Sequence, residues 1–185
     1  RIISGYLKGR KILQPTDKQT RPLKDLTKES VFNILEHSNL LNISLKKINV
    51  LDLFSGVGSF GLECISRGAE NVLFFENYSE AIKILKKNII NLKCTKQTKI
   101  IEKNIFEFKN LENISKKKFE IIFVDPPFKD ENLSNLINNI INSKILAENG
   151  IIILHRHKKK IDIFPEKFKI IKTKTYGVSK IIFAN

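Results

Sequence analysis

The hydrophobic positions along residues 48–185 alternate between two spacings. Short, nearly continuous apolar runs of strand length are separated by stretches in which apolar residues recur every three or four positions, the spacing of one helix face. The apolar runs predict strands over residues 48–54, 71–76, 98–102, 119–125, 150–155, 168–176 and 179–185. The stretches between them predict helices over residues 59–67, 79–92 and 131–146. Alternating helices and uniformly apolar strands indicate a parallel sheet covered on both faces, so the predicted fold class is α/β.

Both ends of the chain depart from this alternation. The last two strands follow one another without a helix, so we expect an antiparallel hairpin at the end of a mostly parallel, seven-stranded sheet. At the other end, residues 2–14 are predicted to form a small β-hairpin, and residues 24–38 a helix. The chain is therefore divided into an N-terminal hairpin-and-helix extension, residues 1–45, and a main domain, residues 46–185.

The composition excludes several classes of protein. A chain of 185 residues with 42% hydrophobic residues can bury the core of one domain without disulfides or metal, and it is too apolar for a disordered chain. Cys64 and Cys94 stand alone in apolar stretches, which favours buried, reduced thiols over a metal or redox site. The apolar runs are too short to span a membrane, and residues 1–5 lack the apolar stretch of a secretory signal. We expect a cytoplasmic monomer with no metal and no membrane partner.

The net charge of +14 is unevenly distributed along the chain. Residues 1–50 carry a balance of +6 and residues 151–185 a balance of +7, whereas residues 51–150 carry only +1. A compositional bias toward Lys would act on all three segments alike. The asymmetry therefore indicates a neutral, ligand-binding body with two basic segments for an acidic partner.

Some of these basic residues are candidates to hold nucleic-acid phosphates, because they belong to the basic N-terminal segment or follow the fifth strand. For each of them, a solubilising role at the surface is an equally open alternative. The candidates are Lys8, Arg10, Lys11, Arg21, Lys24, Lys28, Arg156, Lys158, Lys159 and Lys160.

The loop after the first strand reads DLFSGVGSFG, residues 52–61. Its three glycines match G-x-G-x-x-G, a nucleotide-binding pattern, although a tight turn alone also requires small residues. Glu76, at the end of the second strand, is placed to accept hydrogen bonds from ribose hydroxyls. Asp52 would repel the pyrophosphate of NAD but attract an ammonium group. S-adenosylmethionine (SAM) carries an ammonium group and no phosphate, so the loop favours SAM over NAD.

The fourth strand ends in a second motif, Asp125-Pro126-Pro127-Phe128. The two prolines restrict the backbone and remove two N–H donors, so local carbonyl groups stay available as acceptors. The carboxylate adds two more acceptors, and the Phe128 ring offers a face for stacking. The motif is typical of a rigid, acceptor-rich clamp for a planar substrate with N–H donors, the alternative being a simple turn with a buried Phe.

Together these motifs resemble the class I SAM-dependent methyltransferases that modify amino groups. More narrowly, the segments RIISGYLKGRKI at residue 1, TRP…VFNIL at residues 20–35, SRGA at residue 66 and KTYGVSK at residue 174 resemble the RsmD family. Its members are bacterial 16S rRNA guanine-N2 methyltransferases, and the likeness runs along essentially the whole chain.

This resemblance implies a Rossmann-like fold, SAM as cofactor, and 16S rRNA or the assembling small ribosomal subunit as partner. Asp125, Pro126, Pro127 and Phe128 would hold a flipped guanine for in-line methyl transfer to its N2 amine. The implied cofactor-binding residues are Asp52, Phe54, Ser55, Gly56, Gly58, Gly61, Glu76, Asn77, Asn104 and Ile105.

The chain departs from the family pattern at a few positions. Asn104 replaces the usual acidic residue near the third strand, and its oxygen can still accept a hydrogen bond from the adenine amine. His155 stands where a Glu often ends the fifth strand; we expect His155 and His157 to be solvated or RNA-facing rather than a catalytic base. The segment after Pro22 reads LKDLTK instead of an Arg-rich helix start.

Three other functions remain as alternatives at this point. A related enzyme could methylate adenine N6 or DNA, although Asp125 rather than Asn in the second motif argues against it. An NAD-dependent oxidoreductase is opposed by Asp52 and by the basic ends. A non-catalytic ribosome-binding protein could also use this fold.

Overall fold

The structure is a computed structural model that describes residues 1–16, 23–38, 41, 43–127 and 132–185. Its α-helices are α1 Asp25–His37, α2 Ser59–Ser66, α3 Ser79–Asn91 and α4 Leu133–Asn142, and three single-turn 3-10 helices cover Thr95–Gln97, Ile105–Glu107 and Leu111–Asn113. Its strands are β1 Asn49–Leu53, β2 Asn71–Phe75, β3 Thr98–Ile101, β4 Phe119–Val124, β5 Leu146–His157, β6 Ile170–Tyr176 and β7 Ser179–Ala184. Every helix and strand predicted in the main domain is present, most with bounds within two residues of the prediction.

The strands form one seven-stranded sheet in the order β3-β2-β1-β4-β5-β7-β6. The strands from β3 to β5 are parallel, and β7 pairs antiparallel with both β5 and β6. This confirms the predicted α/β fold with a C-terminal antiparallel hairpin. Because β1 lies between β2 and β4, the loops that follow these three strands meet at the same edge of the sheet.

The region between α4 and β5 differs from the prediction. The helix ends at Asn142, and Lys144 adopts a left-handed backbone conformation (φ 54°) that ends the helical path. Strand β5 begins at Leu146, four residues before the apolar run, and its register with β4 shifts between Phe119 and Ile121. The first residues of β5 pair through their backbone, which a hydrophobic pattern does not reveal.

Each face of the sheet is covered by its own hydrophobic layer. Helices α1, α2 and α3 and the N-terminal segment pack on one face, and α4 packs on the other. A stack of aromatic rings joins α1 and α2 to the sheet. The ring centroids of Phe60 and Phe123 lie 4.0 Å apart, and those of Phe32 and Phe60 lie 5.1 Å apart. The Arg67 guanidinium covers the outer face of Phe32 at 4.4 Å. The N-terminal helix α1 is thus packed, through α2, against β4, the strand that immediately precedes Asp125.

Residues 2–14 turn back on themselves, but no strand is assigned within the described residues 1–16. The Ile2 N–H donates to Arg10 O at 2.9 Å, and the Gly9 N–H donates to Ile2 O at 3.0 Å. These two hydrogen bonds join the ends of a hairpin-like turn, which lacks the ladder of a β-hairpin.

The missing ladder has a physical cause, because the N–H groups that it would use donate to α2 instead. The Glu63 carboxylate accepts hydrogen bonds from the Ile3 and Ser4 N–H groups at 2.7 and 2.9 Å. Ser66 Oγ accepts from the Leu7 N–H at 3.0 Å. Sequence patterns predicted the turn but not its partner, which lies about sixty residues away in the chain.

Among the helices of the described residues, none is long and apolar enough to cross a membrane.

Candidate active site

The polar residues expected at the carboxyl ends of the parallel strands lie around two neighbouring cavities. The larger cavity has a volume of about 180 Å³ and lies beside β2 and β3; it is lined by Phe54, Phe75, Glu76, Asn77, Lys103, Asn104, Ile105, Phe106 and Pro127. The smaller cavity lies between β1 and β4 and is lined by Leu23, Asp52, Phe54, Ser55, Gly56, Val57, Ser59, Phe60, Phe123 and Asp125. Phe54 borders both, so the two cavities form one elongated candidate site.

The loop after β1 is held tightly against the end of β2. Ser55 Oγ donates to the carbonyl groups of Asp52 and Phe75, at 2.6 and 3.1 Å. Phe54 itself has a left-handed backbone (φ 58°), a conformation that is unfavourable for a residue with a Cβ atom. The surrounding hydrogen bonds hold it there and place its ring between the two cavities.

Two of the predicted cofactor-binding glycines have a packing role in the structure. A Cβ atom on Gly61 would lie 2.4 Å from the Phe74 ring, and one on Gly58 would lie 2.4 Å from a methyl group of Leu85. Both positions therefore require glycine so that α2 can approach the sheet and α3. Gly56 lines the smaller cavity, as expected for a residue beside a ligand.

Asp52 is buried and lines the smaller cavity. Its Oδ2 accepts a hydrogen bond from the Gly61 N–H at 3.0 Å. Burial raises the pKa of Asp52 well above its ordinary value, and the nearby charges of Asp125 and Glu76 raise it further. A cation bound here would favour the ionised carboxylate, so the site is electrostatically suited to an ammonium group.

The Glu76 carboxylate bridges the loops that follow β1 and β2. One oxygen accepts from the Gly56 N–H at 2.7 Å, and the other accepts from the Asn77 and Tyr78 N–H groups at 2.9 Å. These bonds orient the carboxylate at the wall of the larger cavity. Each oxygen has more than one lone pair, so hydroxyl donors of a ligand can be added.

The far wall of the larger cavity comes from the residues that follow β3. Asn104 Oδ1 accepts from the Phe106 N–H at 3.1 Å, and Asn104 Nδ2 donates to Glu107 at 2.9 Å. The rings of Phe54 and Phe106 lie 5.3 Å apart. Phe106 and Lys103 were not among the predicted site residues, although their position just after a parallel strand was a signal that could have found them.

The second motif lies where the two cavities meet. Asp125 lines the smaller cavity and Pro127 lines the larger one. The Asp125 N–H donates to Leu53 O at 3.3 Å, which extends the pairing of β1 and β4. The side chain of Asp125 is 21% exposed, so its carboxylate is partly desolvated but accessible. Phe128, the predicted stacking residue, lies outside the described residues.

His155 is buried rather than solvated, so its expected solvated or RNA-facing role is wrong. Its Nδ1 lies 2.8 Å from Asp125 Oδ1, and its Nε2 lies 2.8 Å from Ser179 Oγ. The register of β4 and β5 pairs Val124 with Leu154, which brings the next two residues side by side. His157 is half-buried, and its Nδ1 accepts a hydrogen bond from the Lys159 N–H at 3.2 Å.

Two of the ten basic candidates are buried, which corrects their assignment to a phosphate-binding surface. Lys28 lies on α1 with its Nζ 3.6 Å from Glu63 Oε2. Arg156 lies 2.7 Å from Asp162 and also donates to Pro127 O at 3.3 Å. Their charges are neutralised inside the protein and are not offered to an external anion.

Most of the remaining basic candidates are at the surface. Lys160 is half-buried, and Arg21 lies outside the described residues. The exposed members are Lys8, Arg10, Lys11, Lys24, Lys158 and Lys159. In the described part of the chain, no cluster of three or more His, Cys, Asp or Glu residues is arranged to hold a metal ion.

Comparison with known proteins identifies the family. The family described as "Conserved hypothetical protein 95" matches residues 1–185. "Ribosomal RNA small subunit methyltransferase D" of Haemophilus influenzae is 33% identical, covering 96% of this chain and 89% of that protein. The protein of the same name from Escherichia coli K12 is 31% identical over 82% of this chain and 72% of its own.

The fold comparison agrees with the sequence comparison. The solved structure of yhhF from Escherichia coli, a protein assigned as a methyltransferase, superposes with a TM-score of 0.81 and 26% identity. It covers 100% of this chain and 96% of that structure, so the N-terminal segment and the C-terminal hairpin are included in the likeness. The chain therefore belongs to the "Conserved hypothetical protein 95" family, the RsmD family, whose relatives include proteins named Ribosomal RNA small subunit methyltransferase D.

Proposed function

We propose that this protein transfers a methyl group from SAM to the N2 amine of a guanine in 16S rRNA. Membership of the family supports the broader statement, an rRNA methyltransferase. The observation that carries the finer statement is Asp125, a partly buried, acceptor-only side chain at the junction of the two cavities.

The residues around the cavities fit SAM. Asp52 would hold its ammonium group in the smaller cavity, where the carboxylate is buried and close to two further acids. Glu76 would accept hydrogen bonds from the ribose hydroxyls. Asn104, the Ile105 N–H and the Phe54 ring would hold the adenine in the larger cavity. When bound, SAM supplies an electrophilic methyl group on its sulfonium.

Asp125 favours guanine over adenine as the acceptor base. The Watson–Crick edge of guanine presents two adjacent donors, N1–H and N2–H, whereas that of adenine presents a donor beside an acceptor. An ionised carboxylate only accepts hydrogen bonds, so it matches guanine. Asp125, together with the Pro126 carbonyl, would orient the amine toward the methyl group and draw electron density onto it. The gain in rate comes mainly from positioning.

The exposed basic residues would hold the rRNA backbone. Because Lys28 and Arg156 are buried, they are excluded as candidates. The remaining described candidates are Lys8, Arg10, Lys11, Lys24, Lys158, Lys159 and the half-buried Lys160. If about six of them each neutralise one phosphate, the logarithm of RNA affinity falls against the logarithm of salt concentration with a slope of about −4. If the RNA affinity did not change with salt concentration, these basic residues would not bind phosphates, and the net charge would reflect only the amino-acid composition of the chain.

In the decisive experiment, the protein is incubated with labelled SAM and with small ribosomal subunits that have not been methylated by an enzyme of this family. The labelled nucleotide is then mapped. We expect label on the N2 amine of one guanine. A parallel reaction offers DNA in place of the ribosomal subunits. Label on adenine, label on DNA but not on the ribosomal subunits, or no transfer under any condition would overturn the proposal. Asp125→Asn should lower turnover by about 100-fold because a donor then faces two donors of the base. Glu80→Gln, an exposed change on α3, serves as the matched control and should keep wild-type turnover.

A further inference from the structure

We propose that His155 and Ser179 position the Asp125 carboxylate for the methyl acceptor, an inference that rests on the proposed function. The three side chains form a chain of hydrogen bonds across three neighbouring strands, β4, β5 and β7. Both links measure 2.8 Å, from Ser179 Oγ to His155 Nε2 and from His155 Nδ1 to Asp125 Oδ1.

The sheet register places these three side chains on one face. Val124 pairs with Leu154, so Asp125 and His155 follow as neighbours on parallel strands. Ser179 pairs with His157 on the other side of β5, and positions two residues apart on a strand point to the same face. His155 is therefore held between the end of β4 and the start of β7.

The acceptor and donor pattern assigns a direction to the chain of hydrogen bonds. An ionised Asp125 carboxylate can only accept, so His155 Nδ1 carries the proton and donates to it. In a neutral imidazole the other nitrogen is then an acceptor, and the Ser179 hydroxyl donates to it. Both ring nitrogens of His155 and the Ser179 hydroxyl have a hydrogen-bond partner in this arrangement, which matters because His155 and Ser179 are only 4% and 5% exposed.

The same order of residues occurs in hydrolase triads, in which the serine attacks the substrate. Here the exposure is reversed. Ser179 is the buried end of the chain, and Asp125, whose side chain is 21% exposed, borders the cavity. The group that reaches the substrate is therefore the carboxylate, and the serine and histidine hold it from behind.

This arrangement restricts how Asp125 presents its acceptors. Within the described residues, His155 is the side chain that hydrogen-bonds the Asp125 carboxylate, and it engages Oδ1. In the proposed function, Oδ2 would accept the hydrogen bond from the base, at an angle that His155 fixes through Oδ1. A positioning error of about 1 Å costs on the order of 100-fold in rate when the reaction depends on alignment.

A matched pair of variants tests the proposal. The amide nitrogen of His155→Asn occupies roughly the place of Nδ1 and can still donate to Asp125, whereas that of His155→Gln occupies the place of Nε2. We expect His155→Asn to stay within about fivefold of wild-type kcat, and His155→Gln to lose about 100-fold. Both should keep the wild-type KM for the RNA particle and the wild-type SAM affinity. Ser179→Ala should lower kcat by about tenfold, since it removes one hydrogen bond from the far end.

Equal kcat for the Asn and Gln variants, or a loss confined to KM or SAM affinity, would overturn the positioning role. The melting temperatures of all variants provide the control for folding, and Ser179→Ala keeps the test valid if a His155 variant does not fold. Asp125→Asn separates the two proposals. If Asp125→Asn is inactive while His155→Gln is fully active, the positioning role fails and the proposed function stands. If Asp125→Asn is fully active, the proposed function of the carboxylate fails.

Discussion

Glu63 holds the N-terminal segment to the rest of the protein through a buried network of charges. Its carboxylate is fully buried on α2 and accepts from the Ile3 and Ser4 N–H groups at 2.7 and 2.9 Å. It also lies 2.9 Å from Arg67 Nε and 3.6 Å from Lys28 Nζ. Glu63→Gln removes the negative charge while keeping the size of the side chain, so it tests the network without creating a large cavity.

The structure indicates a large effect for this substitution. Lys28 is fully buried, and its burial lowers its pKa, so removal of Glu63 leaves a cation with one fewer counter-charge in a desolvated position. Breaking a buried ion pair on one side costs about 3–5 kcal/mol. For a chain of this size, 1 kcal/mol corresponds to about 2–4 °C. We therefore expect Glu63→Gln to lower the melting temperature by about 6–20 °C.

Urea unfolding followed by circular dichroism measures this change in the free energy of unfolding. The control is Glu80→Gln on α3, which breaks the exposed pair with Lys83 and should cost less than about 0.5 kcal/mol. A double-mutant cycle with Lys28→Met isolates the coupling, which we expect to exceed about 1 kcal/mol. If Glu63→Gln were no more destabilising than the control, the charge network would not be what holds the N-terminal segment to α2.

Three further predictions follow from individual positions. Asp52→Asn should weaken SAM binding in calorimetry, and unchanged affinity would refute the ammonium site. Because burial raises the pKa of Asp52, the contribution of this residue to the stability of the SAM-free protein is present at acidic pH and is lost as pH rises through the raised pKa. The variant should therefore flatten that part of the plot of stability against pH. Gly5→Ala should destabilise the protein, because a Cβ atom there would lie 1.8 Å from Ser66 O. Gly9 has the same φ of 81° but no atom within 4 Å of such a Cβ, so Gly9→Ala measures the cost of backbone strain alone. Equal losses of melting temperature for the two variants would contradict the close contact at Gly5. Burial raises the pKa of the Cys64 thiol well above its ordinary value, so alkylation at neutral pH should require unfolding, and rapid labelling of the native protein in mass spectrometry would disprove this.

The sequence by itself determined the elements and their order, because hydrophobic spacing is a local property. The run INVLDLF and the helical spacing over residues 79–92 each indicate their element without knowledge of any partner. The strand–helix alternation then requires a parallel sheet, and a parallel sheet brings the ends of its strands to one edge. For this reason Asp52, Glu76 and Asp125 could be predicted as neighbours from the sequence alone.

The tertiary structure alone decided which charged and polar side chains are buried and what they contact. A lysine on a helix or an arginine after a strand has the same local pattern whether it faces water or a carboxylate. Lys28 is paired with Glu63, which is 35 residues away in the chain, and His155 bonds Asp125, which is 30 residues away. Such pairings depend on strand register and helix packing, which bring distant residues together after the local elements have formed. The same physical reason explains why the N-terminal turn was predictable, whereas its hydrogen bonds to α2 were not.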